Sequence, residues 1–184
     1  VTQAMNDTLN APYTQQEVKD ALFQMFPIKA PCPDGFPAHF FQRHWAVCGE
    51  DVTKVVLKIV DGSESAECIK ETSLVLIPKV KNPTHLSQFR PISLCNVLYK
   101  IASKVIANRL KKILPDIISE QQSAFVSGRL ITDNIITAYE CLHFMKKNKE
   151  KFHISRALKL DMTKAYHSVE WSYLQEIMEK FGFA

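Results

Sequence analysis

Apolar positions recur at helical spacing along most of the chain and gather into short extended runs in its middle and near its end. Thr14-Gln15-Gln16-Glu17 reads as a capping box: the Thr14 hydroxyl accepts from the main chain and Glu17 reaches back. Val18, Leu22, Met25 and Phe26 then form the apolar face of a helix running to about Phe26, where Pro27 stops it. Pro37 suits the first turn of a helix through Phe40, Phe41, Trp45 and Val47. A further helix carries Val52, Val55, Val56, Ile59 and Val60 inward and ends before Asp61-Gly62. Asn96 caps a helix whose apolar side holds Leu98, Ile101, Ala102, Val105, Ile106 and Leu110, closed by Pro115. Its other side carries Lys100, Lys104, Arg109, Lys111 and Lys112. Thr132 opens a helix with Ile135, Ile136, Tyr139, Leu142 and Met145 inward, and Ser168 caps a last one that Gly182 stops.

The extended runs differ in character. Thr72 to Lys79 reads as a strand that Pro78 closes or confines to an edge. Phe89 to Leu94 reads as a second one, because a residue before proline avoids the helical region. The polar stretch from Val80 to Gln88 joins them as a hairpin. Lys79 and Arg90 then stand at the end of one strand and the start of the next, where they either converge on one anion or are two solvated charges. The third run, Arg156 to Leu160, is a short strand that delivers Asp161 to its end. A buried carboxylate is costly unless it is paired or binds a metal. The turn-rich loop from Pro27 to Pro37 carries Lys29 and reads either as a binding edge or as a plain connector.

Charge sharpens the picture. Residues 1–78 hold 6 Lys/Arg and 10 Asp/Glu, whereas residues 79–184 hold 17 and 9. The basic second part suits either a polyanion partner or a solvated face. No apolar run approaches the ~20 residues of a membrane helix, so no membrane role is expected. The five cysteines are dispersed, without Cys-x-x-Cys or zinc spacing, as reduced thiols of an intracellular protein would be. No local motif supports Ser-His-Asp or Cys-His catalysis, and the glycines are too far apart to form a phosphate-binding loop. A lone strand-end aspartate with paired cations suits metal-assisted phosphoryl chemistry.

Five blocks carry a family resemblance. Lys29-Ala30-Pro31-Cys32-Pro33-Asp34-Gly35-Phe36 resembles an upstream Lys-Ala-Pro-Gly-Pro-Asp-Gly block. Leu76-Ile77-Pro78-Lys79 and Phe89-Arg90-Pro91-Ile92-Ser93-Leu94 resemble two fingers motifs, Gln122 to Arg129 resembles a segment shared with group II intron enzymes, and Leu158 to Tyr166 resembles palm motif A. With these blocks in order, the chain is similar, from about Thr14 to Phe183, to the reverse transcriptase domain of non-LTR (LINE-type) retrotransposons. The resemblance implies an α+β fold: mainly helical fingers with a short β-hairpin (residues 1–155), then the first strand and helix of a polymerase palm (residues 156–184). It implies transfer of a dNTP onto a DNA primer 3′-hydroxyl, directed by an RNA template, with two Mg2+ (or Mn2+) ions in the complete enzyme. Asp161 would be catalytic and metal-binding, and Lys79 and Arg90 would line the triphosphate. Tyr166 would exclude the ribose 2′-hydroxyl, and Lys29, Lys100, Lys104, Arg109 and Arg129 would contact template or primer. The parent element would act inside the cell, in the nucleus.

The chain also departs from the family pattern. His167 stands where aspartate is usual, Cys32 replaces a turn glycine and Ser127 replaces a proline. The palm motif with paired aspartates is missing, as are the later palm and thumb regions, so the expectation is a domain truncated after motif A that does not polymerise alone. The alternatives are a non-catalytic nucleic-acid-binding remnant, a helical interaction module, or a piece of a group II intron maturase.

Overall fold

The computed structural model describes residues 1–29, 34–147, 157–160 and 165–184. They fall into two compact units, Ala11–Arg109 and a second made of Val1–Asn10 with Leu110–Ala184.

The first unit is built from amphipathic helices around one core. The capping box forms as expected: the Glu17 N–H donates to Thr14 Oγ1 at 3.3 Å and the Thr14 N–H to Glu17 Oε2 at 2.9 Å. Helix α2 (Gln15–Phe23), preceded in the chain by α1 (Gln3–Asn10), buries Val18, Ala21 and Leu22. It stops three residues short of Phe26, which is exposed. The helix expected from Pro37 onward breaks at His44 into α3 (Ala38–Arg43) and α4 (Trp45–Val60), and Pro37 is the N-cap of α3 rather than part of its first turn. Val47 therefore lies in the first turn of α4 and is exposed. A Cβ on Gly49 would come within 2.8 Å of two Trp45 ring carbons, so only glycine lets the indole lie over that turn. Val52 and Val56 of α4 meet Val18, Ala21, Leu22 and Ala38 in the core, together with Val97, Ile101, Ala102 and Val105 of α5 (Val97–Ile117).

Between α4 and α5 stands a two-stranded antiparallel hairpin, β1 (Thr72–Pro78) with β2 (Phe89–Cys95), in the register Thr72↔Cys95 to Pro78↔Phe89. Every residue of β1 is exposed. Two strands alone tolerate Pro78 and Pro91, because each has an outer edge where no N–H is needed. The Asn96 side chain accepts the Leu98 N–H at 2.8 Å, the expected cap, and also donates to Asp34 Oδ2 at 2.7 Å.

Pro115 lies inside α5 and does not end it. In the last turn its missing N–H forfeits only one ladder bond, and Ile118 N–H still donates to the Leu114 carbonyl at 3.0 Å.

In the second unit, α6 (Ile131–Lys147) begins one residue before the expected Thr132 cap. Its expected inward residues Ile135, Ile136, Tyr139 and Leu142 are more than half exposed, and Met145 is only half-buried. Periodicity marks the face a helix can bury; among the described residues nothing covers it. Then come α7 (Ala165–Ser168) and α8 (Trp171–Lys180), which Glu170 rather than Ser168 precedes as N-cap. Gly182 stops α8 as expected, its N–H donating to the Glu179 carbonyl at 2.9 Å. Helix α1, which no sequence pattern announced, is held by buried Asn6. Its amide donates to the Gly182 carbonyl at 2.8 Å and accepts the Ala184 N–H at 3.2 Å.

The strand expected before Asp161 is not present at residues 157–160, where Leu158 and Leu160 are 81% and 83% exposed. A strand needs a neighbour to pair its N–H and C=O groups, and the sheet among the described residues contains only β1 and β2. The α+β class stands, carried by the helices and the hairpin. Among the described residues no helix is long and apolar enough to cross a membrane, and Cys48, Cys95 and Cys141 form no disulfide.

Candidate nucleotide and nucleic-acid interface

The hairpin brings Lys79 and Arg90 together. Arg90 sits opposite Ile77. Lys79 follows Pro78 directly, and its N–H donates to the Gln88 carbonyl at 2.7 Å, extending the ladder by one step. Strand side chains alternate between faces, so Lys79, two residues beyond Ile77, leaves the same face as Arg90. Such diagonal neighbours lie about 7–8 Å apart, within reach of two long cationic side chains. The Lys79 ammonium donates to the Ser87 carbonyl at 2.9 Å, which anchors it without neutralising it. Both residues are exposed.

The electrostatic surroundings favour an anion. From Thr72 through Pro115 the chain contains no Asp or Glu, yet it carries Lys79, Lys81, Arg90, Lys100, Lys104, Arg109, Lys111 and Lys112. That carboxylate-free run was available in the sequence and is a sharper signal than the charge balance of the two parts. Uncompensated cations on an exposed hairpin suit phosphate oxygens, with arginine able to bind two at once.

The other expected site residues divide. Lys29 is exposed, in the loop beside residues 30–33, which lie outside the described residues together with Cys32. Lys100 and Lys104 are half-buried, one helical turn apart on one side of α5. Asp161 lies outside the described residues, and Tyr166 falls within α7.

Arg109 and Arg129 are corrections. Arg109 is 4% exposed. Its Nε and Nη2 donate to the two Glu17 oxygens at 2.8 and 2.9 Å, Nη2 also to the Pro12 carbonyl at 2.9 Å, and Nη1 to the Ala11 carbonyl. Its guanidinium carbon lies 3.6 Å from the Tyr13 ring centroid. The Glu17 carboxyl is held down at about 2, chiefly by the hydrogen bonds from Arg109, and the Arg109 pKa is raised in return. The sequence held the signal: Arg109 is four residues from Val105 and four from Ile113, on the buried stripe of α5 and across the helix from Lys100. Arg129 donates to the carbonyls of Ser119, Gln122, Pro115 and Ile118. It ties the segment after α5 to the end of that helix, where exposed carbonyls attract a cation. In this structure both guanidiniums are engaged in holding the fold.

Sequence reading also missed two polar links in the first unit. Asp34 accepts from the Phe36 N–H at 3.0 Å and from Asn96, which joins its loop to the base of the hairpin. Gln88 organises the turn beside Lys79 through its side-chain oxygen. Among the described residues no three His, Cys, Asp or Glu side chains gather as a metal site. A two-ion centre needs several carboxylates; the described residues do not assemble one.

Lys79 and Arg90 thus present two cations on one exposed face of a hairpin, in a stretch of the chain without carboxylates. Residues 77–184 match the family model described as "Reverse transcriptase (RNA-dependent DNA polymerase)", and the chain belongs to that family. It is 33% identical over its whole length to the "Transposon TX1 uncharacterized 149 kDa protein" of Xenopus laevis, covering 14% of that protein. It is 26% identical over 179 residues, 96% of the chain, to the "Retrovirus-related Pol polyprotein from type-1 retrotransposable element R2" of Bradysia coprophila, covering 19% of it. The chain thus spans under a fifth of the length of either relative, and both come from mobile elements, in keeping with the non-LTR motifs. It carries a partial reverse transcriptase domain.

Proposed function

We propose that this chain supplies the part of an RNA-directed DNA polymerase that grips the incoming nucleotide and the nucleic acid. The observation that carries the proposal is the pair Lys79 and Arg90, on one face of a hairpin that lies in a stretch, Thr72 to Pro115, without Asp or Glu, inside the family match. In this reading the fingers span residues 1–155 and the palm begins at 156–184. Arg90 holds two phosphate oxygens of a dNTP in a bidentate manner, while Lys79 offers its remaining N–H donors to a third. Their charges offset those of the triphosphate and hold its reacting end in one orientation. Lys29, Lys100 and Lys104 contact template or primer phosphates without reading sequence, and Tyr166 closes the sugar position to a 2′-hydroxyl. Two divalent cations, Mg2+ or Mn2+, would supply Lewis-acid charge in the complete enzyme. Asp161 would supply one ligand to them.

The test is calorimetric titration of the purified 184-residue chain with dATP in magnesium-free buffer. Lys79→Ala and Arg90→Ala should each weaken binding by about tenfold or more, the effect of removing one charge-assisted hydrogen bond. Unchanged affinity in both variants would refute the pairing. Primer extension with Mg2+ should yield no product from this chain, which has no Asp-Asp dipeptide.

A further inference from the structure

Lys79 and Arg90 flank the turn from Thr84 to Gln88, and the Gln88 side chain bridges that turn. The Gln88 side-chain oxygen accepts the Thr84 N–H at 2.6 Å, the His85 N–H at 3.1 Å and the Thr84 hydroxyl at 3.4 Å. The Gln88 N–H returns to the His85 carbonyl at 2.9 Å. Its carbonyl receives the Lys79 N–H, and the carbonyl of the preceding residue, Ser87, receives the Lys79 ammonium. Gln88 is thus the point where the turn, the ladder and the lysine head meet. Arg90 follows two residues later.

We propose that Gln88 is a positioning residue for the polyphosphate grip: its side-chain oxygen holds the turn so that the Ser87 carbonyl aims the Lys79 ammonium along the face shared with Arg90. The inference rests on the reading of Lys79 and Arg90 given above. A lysine side chain is flexible and exposed here, so binding an anion must otherwise stop its motion at the moment of contact. The Ser87 carbonyl does this in advance, but only while the turn keeps its shape. Turn shape depends on an acceptor for two adjacent main-chain N–H groups, and among the described residues no main-chain carbonyl serves either one. The role needs an acceptor at the length of a glutamine side chain. It does not need the amide as a donor.

The experiment is calorimetric titration of the full chain with inorganic tripolyphosphate, without divalent ions, at one fixed salt concentration. Gln88→Met keeps the stem and removes the acceptor. It should weaken binding about threefold to tenfold, the range expected when one side chain must be ordered on binding rather than beforehand. The loss should vanish in the Lys79→Ala background, because Gln88 acts through Lys79. Gln88→Asn, one methylene short, should behave like Gln88→Met and serves as the second variant should the first fail to fold. Gln88→Glu retains the oxygens and should restore slow hydrogen exchange at the Thr84 and His85 amides, which Gln88→Met speeds up. Wild-type affinity in both Gln88→Met and Gln88→Asn would overturn the proposal, as would an equal loss with and without Lys79. If Lys79→Ala and Arg90→Ala themselves bind tripolyphosphate as the wild type does, the basic-pair reading fails first, and this proposal with it.

Discussion

Replacing Arg109 by methionine removes a guanidinium that is almost wholly buried, yet leaves its partners in place. Glu17 loses both of its hydrogen bonds to arginine, and the Pro12 and Ala11 carbonyls lose a donor. Breaking a buried ion pair from one side costs about 3–5 kcal/mol. The Glu17 side chain is 28% exposed, so water relieves part of that cost. Depression of the Glu17 pKa from 4.5 to about 2, by the Arg109 hydrogen bonds first and by Thr14 in smaller part, amounts to about 3 kcal/mol at about 1.4 kcal/mol per tenfold change, which bounds the Arg109 share. Arg109→Met is therefore expected to destabilise the first unit by about 3 kcal/mol at neutral pH. The sign of the pH dependence follows from the depressed carboxyl. Its contribution is fully present above the unfolded-state value near 4.5 and is lost as pH falls toward about 2. Urea denaturation followed by Trp45 fluorescence, in a Trp171→Phe background, reports this unit alone. The wild type should lose stability steeply between about pH 5 and pH 2, and Glu17→Gln and Arg109→Met should flatten that loss. A cost below about 1 kcal/mol for Arg109→Met, or an equally steep loss in Glu17→Gln, would refute the reasoning, since an exposed pair contributes no more than that.

Three further outcomes are expected. Asn96→Ala removes both the cap on Leu98 and the bond to Asp34 and should cost about 1–2 kcal/mol in the same denaturation assay. Arg129→Met should speed amide exchange across residues 118–129 by at least about tenfold, measured by mass spectrometry, while Trp45 fluorescence stays unchanged. Gly62→Ala should cost about 1 kcal/mol. Gly62 has φ +79° with nothing within 4 Å of the added Cβ, so a fully neutral substitution would contradict the backbone origin of that cost.

Much of the fold was legible because it is local. The capping box at Thr14 and Glu17, the Asp61-Gly62 stop and the Asn96 cap are patterns of a few residues, and each formed where the spacing placed it. The hairpin was legible for the same reason: two extended runs with a short polar connection have few ways to pair. Family motifs located Lys79 and Arg90, and the register then showed that they share a face. The last helical segments were less legible. The apolar side of α6 looks like a core face by period, but period says nothing about the partner that would cover it.

What the sequence by itself determined is most of the helices, the Thr14 and Asn96 caps, the hairpin and the family, because short-range sterics and hydrogen bonding decide these within a few residues. Tertiary structure decided which charges are available to act. Glu17 read as the far end of a capping box and Arg109 as one cation among several on a basic helix; packing joins them across 92 residues and removes Arg109 from the surface. Arg129 likewise read as a phosphate contact and is bound to four main-chain carbonyls. A charge on a stripe that the core buries must find its counter-charge inside, and only the folded chain determines where that is.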